Sequence, residues 1–215
     1  MTREEKAILL YNTLKELEIQ KNKEGYSLLA GADEAGRGPL AGPVVAACVI
    51  LPRDCRILGI NDSKKISEKK RENLYDEICA CALAWAVGVV DAQTIDRINI
   101  LNAARLAFKQ AIEGLAVTPD FLFTDAIDKL DIFLPYMPVI KGDAKVYSIA
   151  AASIIAKVTR DRMMRELDVL YPQYGFAQHK GYGTKKHRDA ILQHGALPCH
   201  RRSFLKNMPE SIYEK

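Results

Sequence analysis

Nine consecutive residues without a charge, Pro43-Val44-Val45-Ala46-Ala47-Cys48-Val49-Ile50-Leu51, place the tightest limit on how this chain can fold. The run is far too short to span a membrane as a helix, and its continuous apolar character suits a strand covered on both faces of a sheet. A second such run, Tyr26-Ser27-Leu28-Leu29-Ala30-Gly31-Ala32, precedes it and ends in Asp33-Glu34. Gly-Pro punctuation lies between the two, so residues 26–33 and 43–51 read as a hairpin. The sheet therefore starts from its buried centre.

The rest of the chain alternates. Residues 3–22 have helical character, with Ile8, Leu9, Tyr11, Leu14, Leu17 and Ile19 on an apolar side. Ser67 reads as the N-cap of a helix over 68–80. Ala82 to Val90 reads as a strand, with Trp85 in the core, and helical segments run from Asp91 to Leu115. Phe121-Leu122-Phe123-Thr124-Asp125 is a short strand ending in a carboxylate, and Pro138-Val139-Ile140-Lys141-Gly142-Asp143 repeats that design. The Ala-rich stretch from Val146 to Tyr171 predicts a long helix stopped by Pro172, and Thr184 caps a last helix ending near Gly195. This order predicts one α/β domain over residues 1–215 with a mixed central sheet. Residues 1–25 would form an N-terminal helix, and a C-terminal helical portion would begin near 145.

Composition bounds the possibilities without deciding among them. The chain has 215 residues, 48% of them hydrophobic, enough for a core without staples. Five cysteines, Cys48, Cys55, Cys79, Cys81 and Cys199, match no zinc spacing and read as free thiols in a reducing compartment. The N-terminus lacks a signal-peptide apolar segment, so cytoplasm is the expectation. Net charge is only +4, but the basic residues cluster at Lys64-Lys65, Lys69-Lys70-Arg71, Lys185-Lys186-His187-Arg188 and His200-Arg201-Arg202.

Chemistry gathers at the predicted strand ends. Asp33-Glu34, Asp125 and Asp143 can converge there, because a sheet brings distant strand ends together. A cluster of acids without nearby His or Cys favours a hard cation, Mg²⁺ or Mn²⁺, over zinc. Two such ions about 4 Å apart would activate water and stabilise the leaving oxygen of a phosphodiester. Adjacent strand residues point to opposite faces, so Asp33 and Glu34 cannot both project inward without a bend. Asp33 is taken as the central ligand and the mode of Glu34 is left open. Asp128 and Asp131 compete with Asp125 but sit in a stretch that reads as a solvated loop. Gly36-Arg37-Gly38 follows the first acid pair directly and sets backbone N–H groups and a guanidinium beside it.

A second constellation is His179-Lys180-Gly181-Tyr182-Gly183-Thr184-Lys185-Lys186-His187. Its cations suit phosphates, its glycines would let a backbone approach closely, and Tyr182 can stack on a base or sugar. The histidines lack a third soft ligand and are not read as a metal site.

These motifs, in this order over roughly residues 28–205, resemble bacterial ribonuclease HII. The resemblance rests on Gly31–Val44, Asn61-Asp62-Ser63-Lys64-Lys65, Thr124-Asp125-Ala126, Lys141-Gly142-Asp143 with Ser148–Asp161, and Gly181–His187. It implies an RNase H-like fold with a C-terminal helical extension. It also implies metal-dependent endonucleolytic hydrolysis of RNA in RNA–DNA hybrids and 5′ of single ribonucleotides in duplex DNA, leaving 3′-hydroxyl and 5′-phosphate ends. On that resemblance Asp33, Glu34, Asp125 and Asp143 form the acidic site, with the first three as principal metal ligands. Gly36-Arg37-Gly38 would sense the 2′-hydroxyl, Tyr182 would stack on the sugar at the RNA-to-DNA junction, and Lys64 would contact a phosphate. A monomer is expected. Residues 206–215 contain no clear clamp-binding peptide, so a replication-clamp partner has no support from the sequence. Two rivals are a nucleotide-binding enzyme, which would need a Gly-x-x-x-x-Gly-Lys loop that is missing, and a non-catalytic hybrid-binding module, which has no use for four acids.

Overall fold

The computed structural model describes residues 1–214, so Lys215, the last residue of the expected domain, lies outside the described residues. Five strands form one mixed sheet in the order β3-β2-β1-β4-β5: β1 Leu29–Ala35, β2 Val44–Ile50, β3 Ala84–Val90, β4 Phe121–Asp125 and β5 Tyr136–Val139. β1 pairs antiparallel with β2 as the expected hairpin, β2 antiparallel with β3, and β1, β4 and β5 run parallel.

The unbroken apolar character of β2 has a direct cause. Val44, Ala46, Cys48 and Ile50 pack with Ala103, Ala104, Ala107 and Phe108 of α4 (Ile100–Glu113). Ala47 and Val49 pack with Ala150, Ala151 and Ile154 of α5 (Tyr147–Leu170) on the other face. These side chains along β2 thus alternate between two cores, as its period of two requires. At roughly 25 cal/mol per Å² of apolar surface, these two cores dominate the stability of the sheet.

β1 follows the same alternation, with Ala30 and Ala32 in the α4 core. Gly31 faces α5 so closely that a Cβ there would collide with the Ser148 backbone. Asp33, two residues on, is therefore carried to the α5 face.

Helix α1 (Arg3–Lys23) and α2 (Glu68–Cys81) pack beside α5, and α3 (Ala92–Ile98) packs against α4. The first turn of α5 has no side-chain cap of its own, since its N-cap is Val146. Glu18 of α1 fills that role, accepting the Ser148 N–H at 2.7 Å while holding Lys15 at 2.6 Å, with both side chains buried. An anionic oxygen at a helix N-terminus satisfies a donor and complements the helix dipole.

The C-terminal portion builds a third core. Short α6 (Phe176–His179), α7 (Lys185–His194) and the chain after it pack Tyr174, Phe176, Ile191, Leu205 and Ile212 around Leu40, Ala41 and Met164. Thr184 caps α7 as expected, accepting the His187 N–H, and Pro172 follows the end of α5.

Several expectations need correction. β1 continues through Ala35, so Asp33 and Glu34 lie inside the strand rather than at its end. Asp143 is not at a strand end: β5 stops at Val139, Lys141 turns left-handed (φ 57°), and Asp143 sits in a 3₁₀ turn, Gly142–Ala144, leading into α5. Trp85 is 37% exposed on the edge strand β3, against Tyr75, because one face of that strand looks outward while Ala84, Gly88 and Val90 face α4. Ser67 occupies the N-cap position of α2 but makes no capping bond. The thiols are free, but Cys79, Cys81 and Cys199 are only partly buried.

Candidate active site

Parallel neighbours at matched register explain how the first two acids meet. Ala32 pairs with Thr124, so the residues that follow, Asp33 and Asp125, leave β1 and β4 side by side. The turn before α5 supplies Asp143, and Asp125 ties it in place by accepting the Gly142 N–H at 2.6 Å. Asp33, Asp125 and Asp143 each offer an oxygen within 4.8 Å of the others. Asp33 and Asp143 are buried, and Asp33 also accepts the Glu34 N–H at 2.7 Å.

This closeness has an electrostatic cost. Burial, then the charges of Glu34 and Asp125, holds the Asp33 carboxyl well above the usual carboxylate range. Burial and the charges of Asp125 and Asp62 raise Asp143 as well. Burial works against the Lys64 ammonium, yet the pull of Asp33 and Asp143 raises its pKa and keeps it charged beside them. Hard oxygen donors crowded this way are the donor set that a divalent cation takes.

Glu34 stands apart from that triad. One carboxylate oxygen, Oε1, lies 3.3 Å from Arg37, while Oε2 is buried without a hydrogen-bond partner. Burial raises its pKa and Arg37 opposes the rise. An orphaned buried oxygen at the margin of an acidic cluster fits a site that takes up cations. The donor set therefore fits one or more divalent ions.

Beside the triad opens a cleft of about 390 Å³ that is lined by Asp33, Glu34, the Gly36-Arg37-Gly38 loop, Lys64 and Tyr182. Across Lys64 a second cleft of about 470 Å³ is bordered by Asp125, Asp143, Lys65 and Lys141. Tyr182 is 45% exposed, with its ring facing Gly38. Every residue expected at the site thus borders one of two adjoining clefts. Asp128 and Asp131 do not, as they pair with Arg105 and Lys109 of α4.

The glycine reading of the Tyr182 segment needs revision. Gly181 does allow a close approach, but to the carbonyl of Ala41 in the protein's own chain. His179, His187 and His200 are neighbours in the third core, and their ring nitrogens are engaged in hydrogen bonds.

Sequence reasoning missed Arg160 and Arg201. Both are fully buried under the cleft, and every guanidinium nitrogen of each bonds a backbone carbonyl. The residues were visible within the Ser148–Asp161 motif and a basic cluster. Nothing in the local pattern says that an arginine is buried rather than solvated.

A parallel-antiparallel five-stranded sheet, helices on both faces and carboxylates converging from β1, β4 and the entry to α5 define an RNase H-type nuclease. A model of the family described as ribonuclease HII matches residues 30–207. The chain is 57% identical over 190 residues to a ribonuclease HII of Acetivibrio thermocellus, covering 88% of this chain and 74% of that protein. Among solved structures it resembles ribonuclease H2 of Pyrococcus horikoshii OT3, with TM-score 0.73, 26% identity, 87% of this chain and 99% of that one. It also resembles the RNase HII in a PCNA:RNase HII complex from Archaeoglobus fulgidus, with TM-score 0.67, 28% identity, 81% of this chain and 93% of that one. The chain belongs to the ribonuclease HII family.

Proposed function

We propose that Asp33, Asp125 and Asp143 hold divalent cations, Mg²⁺ or Mn²⁺, for endonucleolytic hydrolysis of the RNA strand of RNA–DNA hybrids and of single ribonucleotides in duplex DNA. The family supports the reaction. The observation that carries the site assignment is the convergence of three carboxylates within 4.8 Å. When bound, the ions activate the attacking water and stabilise the leaving 3′-oxygen of the scissile bond. Glu34 joins through its unpartnered Oε2.

The remaining residues position substrate. Arg201 occupies the Gly36 and Arg37 carbonyls, so the loop presents N–H donors to a ligand. Such donors suit the 2′-hydroxyl, the group that distinguishes RNA from DNA at one nucleotide. Arg37, with its side chain half exposed, and Lys64, held charged by the acids, face the phosphates. Tyr182 supplies a stacking face for the sugar on the DNA side. No described helix is long and apolar enough to cross a membrane. A clamp partner is not part of this proposal: Ile212, near the C-terminus, is buried in the third core.

The test is an end-labelled DNA duplex containing one ribonucleotide, incubated with Mg²⁺ or Mn²⁺ beside all-DNA and EDTA controls. The expected result is a metal-dependent cut immediately 5′ of the ribonucleotide. No cut by folded protein with either ion would overturn the proposal, and cutting of the all-DNA control would replace it with a general nuclease.

A further inference from the structure

The adjacent residues His200 and Arg201 reach two different segments that line the cleft. Arg201 donates to Arg37 O at 2.9 Å, Gly36 O at 2.6 Å and Gly42 O from Nε at 3.0 Å and Nη2 at 2.8 Å. It thereby grips the turn that carries Gly36-Arg37-Gly38. His200 acts on the Tyr182 segment through a relay whose proton positions follow from its ends. Leu197 N–H must donate, so His200 Nδ1 accepts at 2.8 Å. Tyr182 O must accept, so His187 Nδ1 donates at 2.9 Å. The central contact, 3.1 Å, is then His200 Nε2–H donating to His187 Nε2, with both rings neutral.

The backbones interlock at the same place. Arg201 N donates to Leu40 O and Leu40 N to Gly181 O, each at 2.8 Å, and Gly42 N bonds Cys199 O at 2.8 Å. Arg160 closes the ring from α5, joining Ala41 O, Pro43 O and Lys180 O at 2.9–3.0 Å. Gly36 is fitted to this arrangement: its φ is +98°, and a Cβ there would strike the Arg160 side chain.

We infer that His200-Arg201 is a positioning device that sets the gap between the Gly36-Arg37-Gly38 loop and Tyr182, and so the enzyme's preference for an RNA-to-DNA junction over the interior of a hybrid. This deepens the site reading above and rests on it. The geometry has a physical logic. Two buried guanidiniums, neither in an ion pair among the described residues, are costly unless hydrogen bonds replace the lost water. Burial and the charge of Arg160 lower the Arg201 pKa to about 9. Every guanidinium nitrogen of both arginines donates to a carbonyl here, and in doing so fixes the loop before substrate arrives. A reader of one hydroxyl next to one sugar needs that rigidity, since an error near 1 Å costs about 100-fold.

The experiment is a double-mutant cycle. Wild type, Arg201→Lys, Tyr182→Ala and the double variant are compared on a single-ribonucleotide duplex and on a long RNA–DNA hybrid, with folding checked by thermal unfolding. The readout is the ratio of kcat/KM for the two substrates. Arg201→Lys keeps a charge but loses the planar fork, and should lower the junction-to-interior ratio about tenfold, an effect that disappears in the Tyr182→Ala background. Equal losses on both substrates, or independent effects in the cycle, would overturn the inference. His200→Gln, which breaks the relay without touching the buried charge, repeats the cycle if Arg201→Lys does not fold. Failure of wild type to cut either substrate would instead sink the functional reading itself.

Discussion

On one wall of the cleft, Asp33, Asp125 and Asp143 bring carboxylate oxygens within 4.8 Å of one another, with Asp33 and Asp143 buried, so that the carboxyls of these two are pushed upward. On the other, Arg160 and Arg201 are just as deeply buried, yet each guanidinium nitrogen rests on a carbonyl. The first wall stores repulsion that a cation relieves. The second is satisfied internally and holds its shape without a ligand. Chemistry is thus assigned to the strained wall and selection to the rigid one, a trade of stability for function on one side only.

The sharpest way to break this contrast is Asp33→Asn. It should reduce cleavage by about 10²–10³-fold, the range typical of losing a group that stabilises transition-state charge. It should also raise thermal stability. The sign follows from the raised pKa: a carboxyl that resists ionisation when folded costs stability as pH rises from its unfolded value toward its raised folded one, and the cost stays in place above that. Asn keeps an acceptor for the Glu34 N–H. Each kcal/mol relieved should appear as about 2–4 °C in Tm. A variant that is inactive and less stable would contradict the claim of stored repulsion.

Divalent metal should act the same way on the wild type. Mn²⁺ at about 100 times its Kd should add about 2.7 kcal/mol to unfolding free energy, and Asp125→Asn should lose most of that gain in a thermal-shift titration. Tyr182→Ala tests the other wall. Cleavage should continue, with a loss of junction preference worth about 1–3 kcal/mol, the range for one stacked base or sugar, while Tyr182→Phe retains most of it.

The rigid wall has its own pH signature. Burial lowers both His187 and His200 to about 4. Unfolded histidines near 6.5 bind protons first, so the unfolded state gains protons as pH falls. The contribution of the two rings to stability should be constant above about 6.5 and decline between that pH and about 4, by up to about 1.4 kcal/mol per unit for each ring. Urea unfolding of wild type and His200→Gln at several pH values isolates it, and parallel profiles would mean the relay is not neutral. The smallest effect on activity is expected from Glu18→Gln, which leaves an acceptor for the Ser148 N–H but strips the buried Lys15 of its counter-charge. It should cost stability, about 1–3 kcal/mol, without moving the position of cleavage.

The contrast also explains what the sequence made legible. β2 was readable because burial on two faces leaves no polar residue in the strand, and Thr184 and Pro172 because capping and helix-stopping act locally. Asp33 and Asp125 were readable because a carboxylate after an apolar strand has few other uses. Asp143 was found as an acid but misplaced, since the left-handed Lys141 and the 3₁₀ turn that carry it leave no period in the sequence. Arg160, Arg201, His187 and His200 were hidden for a stronger reason. Their partners are backbone groups and each other, up to 165 positions away in the case of Arg201 and Gly36, and a backbone group has no residue type to recognise.

One measurement puts the division of labour directly at risk. Wild type, Asp33→Asn and Tyr182→Ala are compared on the same end-labelled strand, which carries one embedded ribonucleotide and a longer RNA tract, with binding measured in parallel by fluorescence anisotropy. The account predicts that Asp33→Asn binds but does not cut, and that Tyr182→Ala cuts with the junction site no longer favoured. Loss of binding in Asp33→Asn, or an unchanged junction preference in Tyr182→Ala, would contradict it.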